Sequence, residues 1–229
     1  MLLEGAPEAH LHIGQIDAVV VSTPNHVHAP ASVTAMRMGK HAYCEKPLSH
    51  SIYEARVAAR VAAEKKVATQ MGTQIHATDN YRRIVELIRA GAIGTVRECH
   101  CWLGGARGAG DRPKDTPPVP EGLHWDVWLG PAPERPYHSC YVPHDWHYWW
   151  DFGGGEYGNM GCHYLDLAFW ALALRDPTTI AAEGPPPHPE STPTQQHARY
   201  EFPARGNQPP VTVTWTQGTK PPPIFEQHP

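Results

Sequence analysis

A lysine followed by a proline comes directly after a short apolar run early in this chain. The run at residues 42–44 leads into Glu45-Lys46-Pro47, and an earlier run at residues 16–21 leads into Thr23-Pro24-Asn25-His26. If both runs are strands of one parallel sheet, the two polar segments lie together at its carboxyl edge, where such sheets bind ligands. Because burial and nearby positive charge lower the pKa of an amine toward neutrality, Lys46 is a candidate proton carrier at this edge.

A second set of polar residues falls on one predicted helix, from about residue 157 to residue 174, which follows three consecutive glycines. Asn159, His163, Asp166 and Trp170 are spaced by four, three and four residues, so they share one helix face. A histidine and a carboxylate one turn apart suit a base and the group that orients it. An amide one turn earlier suits a substrate hydroxyl.

Both sets depend on elements that hold them in place. Up to residue 72, short apolar strands alternate with helical stretches, and the order β-α-β-α-β favours a parallel sheet with right-handed crossovers. The predicted strands are 19–23, 42–44 and 67–71. The predicted helices are 28–38, a second that follows Ser49 or Ser51 as the N-cap and ends near residues 65–66, and 79–90.

After Gly94 the pattern changes to the alternation of half-buried strands. We predict strands at 95–103, 197–202 and 211–216, the last two antiparallel, and a helical turn at 125–129. The predicted fold class is therefore α/β, in which a partial parallel sheet in residues 1–94 precedes an α+β domain in residues 95–229. The second domain is expected to have an open, mainly antiparallel sheet.

Composition excludes several functional classes. The formal net charge of -4 gives no basic surface for nucleic acid, and no apolar run is long enough to cross a membrane. The N-terminus resembles no signal peptide. Five scattered cysteines without a C-x-x-C motif argue for reduced thiols, so we expect a cytoplasmic protein.

Three segments in this order resemble the glucose–fructose oxidoreductase / inositol dehydrogenase / rhizopine-catabolism (Gfo/Idh/MocA) family. They are residues 23–26, Glu45-Lys46-Pro47 and residues 153–166, and the similarity extends from about residue 16 to residue 216. The resemblance implies an N-terminal Rossmann domain that binds NAD or NADP. It also implies a C-terminal domain whose open sheet holds a sugar or polyol and often mediates homo-oligomerisation.

The resemblance also implies roles for individual residues in hydride transfer to or from a sugar or polyol hydroxyl. Lys46 would lie near the nicotinamide and the reacting hydroxyl, often with a cis bond before Pro47, and would share the proton with His163. Asp166 would orient His163, and Asn159, the fourth expected catalytic residue, would position a neighbouring hydroxyl. The remaining expected contacts are Thr23, Pro24, Asn25, His28, Glu45 and Lys46 with the cofactor, and Tyr157, Asn159 and His163 with the substrate.

The chain departs from the family pattern in two ways. Asn159 stands where many members have aspartate, and an amide hydrogen-bonds but takes no proton. No strand–G-x-G-x-x-G–helix precedes Ile16, and the chain stops early after residues 220–223, so we expect a chain truncated at both ends. Glycines 153, 155 and 158 match the same pattern, but residues 146–151 make a poor strand, so we reject a phosphate site there.

Other interpretations stay open at this stage. The same residues would serve an NAD-dependent glycosidase, and a truncated chain could be an inactive remnant or a non-enzymatic assembly module. Lys46 could be a surface lysine paired with Glu45, and the helix face could simply meet solvent. Spacing fixes no third or fourth metal ligand beside pairs such as His163 and Asp166, so we expect no metal.

Overall fold

The structure is a computed structural model that describes residues 13–108, 110–218, 221–222 and 224. These residues form two compact units that are interleaved along the chain. The first contains the described residues up to Gly72, with Pro113–Trp146 and Asp151–Gly153. The second contains the described residues of Thr73–Arg112, His147–Trp150 and those from Gly154 onward. A domain boundary near residue 94 stays a prediction.

Each unit has its own sheet. In chain order the strands and α-helices of the described residues are β1 (Ala18–Val21), α1 (Asn25–Arg37), β2 (His41–Glu45), α2 (Ile52–Lys65), β3 (Thr69–Gly72), α3 (Asp79–Arg89), β4 (Glu98–Leu103), α4 (Trp125–Leu129), α5 (Gly155–Ala171), β5 (Thr179–Glu183), β6 (Gln196–Phe202) and β7 (Val211–Gln217). Short 3-10 helices lie at Ile13–Gln15 and Asp145–Tyr148.

The first unit is built on a parallel sheet with the strand order β1-β2-β3. Val33 of α1 and Val61 of α2 pack with Ala42 of β2, which places the apolar core between these helices and the sheet. The side chains of Ser51 and Glu54 form a capping box that begins α2, so Ser51 rather than Ser49 is the N-cap. The predicted β-α-β-α-β order is confirmed.

Helix α1 begins three residues earlier than the sequence predicts, at Asn25 rather than residue 28. Pro24 occupies the N-cap position with φ -61° and ψ 155°, the extended conformation usual for the residue just before a helix. Asn25 and His26 therefore belong to the first helical turn, and β1 ends at Val21. Pro30 lies in the second turn, where it has no N–H to donate to the carbonyl of His26.

The second unit has a mixed sheet with the order β4-β7-β6-β5. β4 and β7 are parallel, whereas β5, β6 and β7 are antiparallel. Helix α5 covers one face, where Ala168 packs with Phe202 and Val213. The sequence did not predict β5, because all five of its residues are exposed and show no alternation. The overall architecture is α/β, with a Rossmann-type parallel sheet and a mixed, mainly antiparallel second sheet, as predicted.

No helix among the described residues combines the length and the apolar character needed to cross a bilayer.

Candidate functional site

The two polar segments predicted to meet at a sheet edge follow strands that are direct neighbours. Val21, at the end of β1, pairs with Cys44 of β2, so Thr23 and Lys46 follow at the same carboxyl edge. Thr23 is exposed, and Glu45 and Lys46 are half-buried. The structure thus brings together the segments that the sequence singled out, at the edge where parallel sheets bind ligands.

His28 joins these two segments. Its side chain is almost fully buried, at 1% exposure. Nδ1 lies 2.6 Å from the carbonyl oxygen of Pro47, and Nε2 lies 2.6 Å from that of Thr23. A neutral imidazole has one N–H and donates to one of these carbonyls, whereas an imidazolium donates to both. The sequence analysis expected His28 to contact the cofactor. In the structure both of its ring nitrogens lie within hydrogen-bond distance of backbone carbonyl oxygens instead.

The backbone of Lys46 is fixed by a hydrogen bond and by a cis peptide bond. Its N–H donates to the carbonyl of Gly72, at 3.1 Å, and the Lys46–Pro47 bond is cis, as the resemblance implies. The Glu45 side chain lies so close to Gly72 that a Cβ on this glycine would be 2.8 Å from the Glu45 Cδ. The glycine therefore leaves room for the carboxylate beside Lys46.

Asn25 and His26 lie in the interior of the first unit, at 4% and 3% exposure. The His26 backbone N–H donates to the Phe152 carbonyl at 3.3 Å, and its Nε2 lies 3.2 Å from the carbonyl oxygen of Trp128. Burial lowers the pKa of His26 and favours its neutral form. Of the predicted cofactor contacts, Asn25 is thus buried like His28, while Thr23 stays accessible.

The second polar set lies on α5, in the second unit, as the sequence predicts. Helix α5 begins at Gly155, whose φ of +63° disfavours any side chain. A Cβ at this position would also be 2.6 Å from Oγ1 of Thr192. Gly155 therefore sets the start of the helix that carries Asn159 and His163. The segment before it contains the 3-10 helix Asp145–Tyr148, which agrees with the expectation that residues 146–151 make a poor strand.

Asp166 has a hydrogen-bond partner that the sequence analysis missed. Its Oδ2 lies 2.7 Å from Nδ1 of His76, and the His76 ring stacks on Trp170 with centroids 4.0 Å apart. The sequence instead paired Asp166 with His163. His76 follows β3 by four residues, so the strand-end argument used for Thr23 and Lys46 could have drawn attention to it.

His163 is buried, at 3% exposure, and the hydroxyl of Tyr81 donates to its backbone carbonyl at 3.2 Å. Burial raises the pKa of Tyr81, and the negative charge of Asp166 adds to this effect. Helix α3, which contains Tyr81, thereby fixes the part of α5 that carries His163 and Asp166.

Tyr157 lies on the opposite side of α5 from Asn159. Its hydroxyl hydrogen-bonds the hydroxyl of Tyr200, and its ring packs edge-on against Trp215 of β7. Burial and the Tyr200 hydrogen bond both raise the pKa of Tyr157. The residue expected to contact substrate thus faces the sheet, because a two-residue step on a helix turns the side chain by about 200°.

Two family models match this chain. Residues 6–73 match the NAD-binding Rossmann fold of the Gfo/Idh/MocA oxidoreductases, and residues 100–208 match their C-terminal alpha/beta domain. The chain belongs to the Gfo/Idh/MocA family of oxidoreductases, and its N-terminal part matches the family's NAD-binding Rossmann domain.

Individual relatives agree with this assignment. The rhizopine catabolism protein MocA of Rhizobium meliloti is 30% identical over 74% of this chain and 42% of its own length. Inositol 2-dehydrogenase 3 of Saccharopolyspora erythraea is 34% identical over 38% of this chain and 26% of its own length. The chain thus spans less than half the length of these curated relatives.

A solved structure shows the same fold. The WlbA dehydrogenase of Bordetella pertussis, in complex with NADH and UDP-GlcNAcA, superposes with a TM-score of 0.62. The two chains are 16% identical, and the match covers 90% of this chain and 54% of that one.

The described residues fit one part of a dinucleotide and not another. Thr23, Glu45 and Lys46 present polar, accessible groups at the sheet edge, as the nicotinamide and its ribose require. A pyrophosphate binds the backbone N–H groups of a glycine-rich turn before a helix. The turn at residues 22–24 contains no glycine, and nowhere in the described ranges does a strand pass through G-x-G-x-x-G into a helix.

Proposed function

We propose that this chain is the nicotinamide- and substrate-binding part of an NAD- or NADP-dependent dehydrogenase that oxidises a hydroxyl of a sugar or polyol. The observation that supports this most is the position of His28, which fixes Thr23 and the Lys46 segment at one carboxyl edge. The name of the inositol 2-dehydrogenase relative supports a polyol as the substrate class.

The bound nicotinamide would supply the hydride acceptor, and the chain would place the substrate and move its proton. In this proposal Lys46 takes the hydroxyl proton. The hydrogen bond from its backbone to Gly72 and the contact of Pro47 with His28 hold the base of the side chain. Such positioning accounts for a large part of the rate in hydride transfer.

The residues on α5 and His76 would handle the substrate side. When Nδ1 of His76 donates to Asp166, its Nε2 is left as an acceptor, and the side chain is 44% exposed. We therefore propose that His76 assists proton transfer beside His163, while Asn159 hydrogen-bonds a neighbouring hydroxyl. Asp166 would act as the group that orients His76.

The family resemblance also suggests homo-oligomerisation through the mixed sheet. Sedimentation velocity of the purified chain tests this: a species of twice the monomer mass or more supports the proposal, and a monomer across the concentration range contradicts it.

The dehydrogenase proposal is tested by binding and turnover together. The purified chain is titrated calorimetrically with NAD⁺ and with NADP⁺, and is then incubated with each dinucleotide and with myo-inositol or glucose. Binding with net formation of reduced nicotinamide supports the proposal. Cleavage of a glycoside without net reduction indicates the NAD-dependent glycosidase instead. If neither dinucleotide binds, the dehydrogenase proposal for this chain is wrong, and a non-enzymatic module is favoured.

A further inference from the structure

A cavity of about 380 Å³ lies in the second unit, and all of its lining residues belong to that unit. Helices α3 and α5 form two of its walls, where Ile88 of α3 and Leu167 and Ala171 of α5 contribute an apolar surface. The third wall is β4, of which residues 98–102 all line the cavity. Because consecutive side chains of a strand point to opposite faces of the sheet, a cavity that touches this whole run lies along the edge of the strand.

The backbone of β4 is directed at this cavity at every second residue. β4 is an edge strand of the mixed sheet and pairs with β7 on its other side. The carbonyl of Arg97 accepts a hydrogen bond from the N–H of Thr212, at 3.0 Å, and the carbonyl of Leu103 is engaged in the same way. Odd-numbered residues of β4 therefore direct their backbone groups toward β7, whereas Glu98 and His100 direct theirs toward the open edge. Such an edge offers donors and acceptors to a further strand.

The two faces of β4 differ in polarity beside this edge. Cys99 and Cys101 point toward α5, where the thiol of Cys101 donates to the Tyr164 carbonyl at 3.6 Å. Glu98 and His100 point to the other face, with Oε2 of the carboxylate 3.3 Å from Nε2 of the imidazole. The Glu98 side chain is 61% exposed. A strand laid along this edge would thus meet an apolar surface on one face and a carboxylate on the other.

We propose that the open edge of β4 binds an extended segment of another protein in which apolar residues alternate with lysine or arginine. The segment adds a strand to the mixed sheet by pairing its backbone with that of Glu98 and His100. Its apolar side chains enter the cavity, and its basic side chains lie beside the Glu98 carboxylate. In strand addition of this kind, backbone hydrogen bonds supply affinity, and pockets for alternate side chains supply specificity.

Two other occupants fit this edge less well. A small apolar molecule would fill the cavity but would cover the outward backbone groups of β4 without pairing them, which costs free energy. A second copy of β4 would bring another Glu98 carboxylate to the first, and like charges on paired strands are destabilising. A basic segment instead brings the opposite charge, and the formal net charge of -4 on the whole chain adds to its attraction.

The test titrates a fluorescein-labelled heptapeptide of alternating valine and lysine with the purified full chain, and fluorescence anisotropy measures binding. The matched peptide has glutamate in place of lysine and should bind about fivefold more weakly, as expected for one exposed charge pair. Two further peptides carry N-methyl groups, either on the valines or on the lysines. Exactly one of them should lose binding, because a strand directs alternate N–H groups to one neighbour. No binding of the lysine peptide, or equal binding of both methylated peptides, would overturn the proposal.

Matched variants of the chain locate the binding edge. His100→Pro removes one outward N–H and leaves the pairing with β7 intact, so it should weaken binding about threefold to tenfold relative to His100→Ala. Glu98→Gln should reduce the preference for the lysine peptide, whereas Glu183→Gln, on the exposed strand β5, should keep it. Equal affinities of the proline and alanine variants would overturn the proposal. Circular dichroism confirms folding, and the methylated peptides stay decisive if the proline variant does not fold.

Sedimentation velocity of the chain alone tests whether a second copy covers this edge instead. We expect His100→Pro and His100→Ala to have the same mass in solution, because the proposed partner is a different protein. A dimer that His100→Pro converts to a monomer, and that His100→Ala does not, would assign the edge to a second copy and overturn the proposal.

Discussion

His28 lies between Thr23 and Pro47, and each of its ring nitrogens is 2.6 Å from a carbonyl oxygen. One buried side chain thus connects the turn after β1 with the turn after β2. The backbone pairing of β1 with β2 ends at Val21 and Cys44, before either turn begins. The His28 side chain therefore links two turns that the sheet hydrogen bonds do not link. The position of Lys46 therefore depends on a residue of α1 that is far from it in the sequence.

We expect His28→Ala to destabilise the chain. The substitution removes at least one hydrogen bond to the carbonyl oxygens of Thr23 and Pro47, which costs about 0.5–1.5 kcal/mol, or up to about 3 kcal/mol where a carbonyl is left unsatisfied. Urea denaturation measures the loss. Thr34→Ala, at an exposed position of the same helix, is the control and should change stability by less than about 0.5 kcal/mol. Equal losses in the two variants would contradict the connecting role of His28.

Stability should fall as the pH is lowered through the region where His26 titrates. Burial lowers the pKa of His26 below the ordinary histidine value of 6.5, so the unfolded chain binds this proton more readily than the folded chain. The contribution is complete above pH 6.5 and is lost as the pH falls toward the folded pKa. His26→Gln should remove this part of the slope in urea titrations at several pH values. An identical pH dependence in the variant would be the contrary result.

Two glycines at the start of α5 should respond to alanine in opposite ways. At Gly155, alanine adopts an unfavourable φ and meets Thr192, so Gly155→Ala should cost about 2 kcal/mol or more. At Gly158, in the helix interior, an added Cβ meets nothing within 4 Å, so Gly158→Ala should be neutral or stabilise by up to about 1 kcal/mol. Thermal unfolding compares them, and equal midpoints would refute the steric argument.

The Asp166–His76 hydrogen bond predicts non-additive effects on turnover, if the proposed dehydrogenase activity is present. Asp166→Asn and His76→Asn should each lower kcat. The double variant should lose little more activity than the more damaging of the two single variants. Asn80→Ala, at an exposed position of α3, is the control. Independent, multiplicative losses in the double variant would show that the two residues do not act as a unit.

The sheet edge could be predicted because its signal is local. Two apolar runs each end in a proline-containing polar segment, and parallel strands bring such ends together. The role of His28 could not be predicted in the same way. Both of its partners are backbone carbonyls, and carbonyl positions follow from the folded turn rather than from the identity of any residue.

The partners of the α5 residues were harder to infer for a different reason. Helical spacing places Asn159, His163 and Asp166 on one face, and the structure agrees. Helical spacing does not indicate which distant residue contacts that face. In the structure Asp166 contacts His76, 90 residues earlier in the chain. Tyr157 is a related case: it was expected to contact substrate with Asn159, but its ring packs against Trp215, and side chains two residues apart leave a helix on opposite sides.

The proposed role of Lys46 as the proton carrier is tested most directly by its replacement. Steady-state formation of reduced nicotinamide from a polyol is compared for the wild-type chain, Lys46→Met and the exposed control Lys65→Met, with dinucleotide affinity measured beside each rate. We predict that Lys46→Met lowers kcat by about 10²–10⁴-fold with little change in dinucleotide Kd, and that the control keeps the wild-type rate. A near-normal kcat for Lys46→Met would contradict the account.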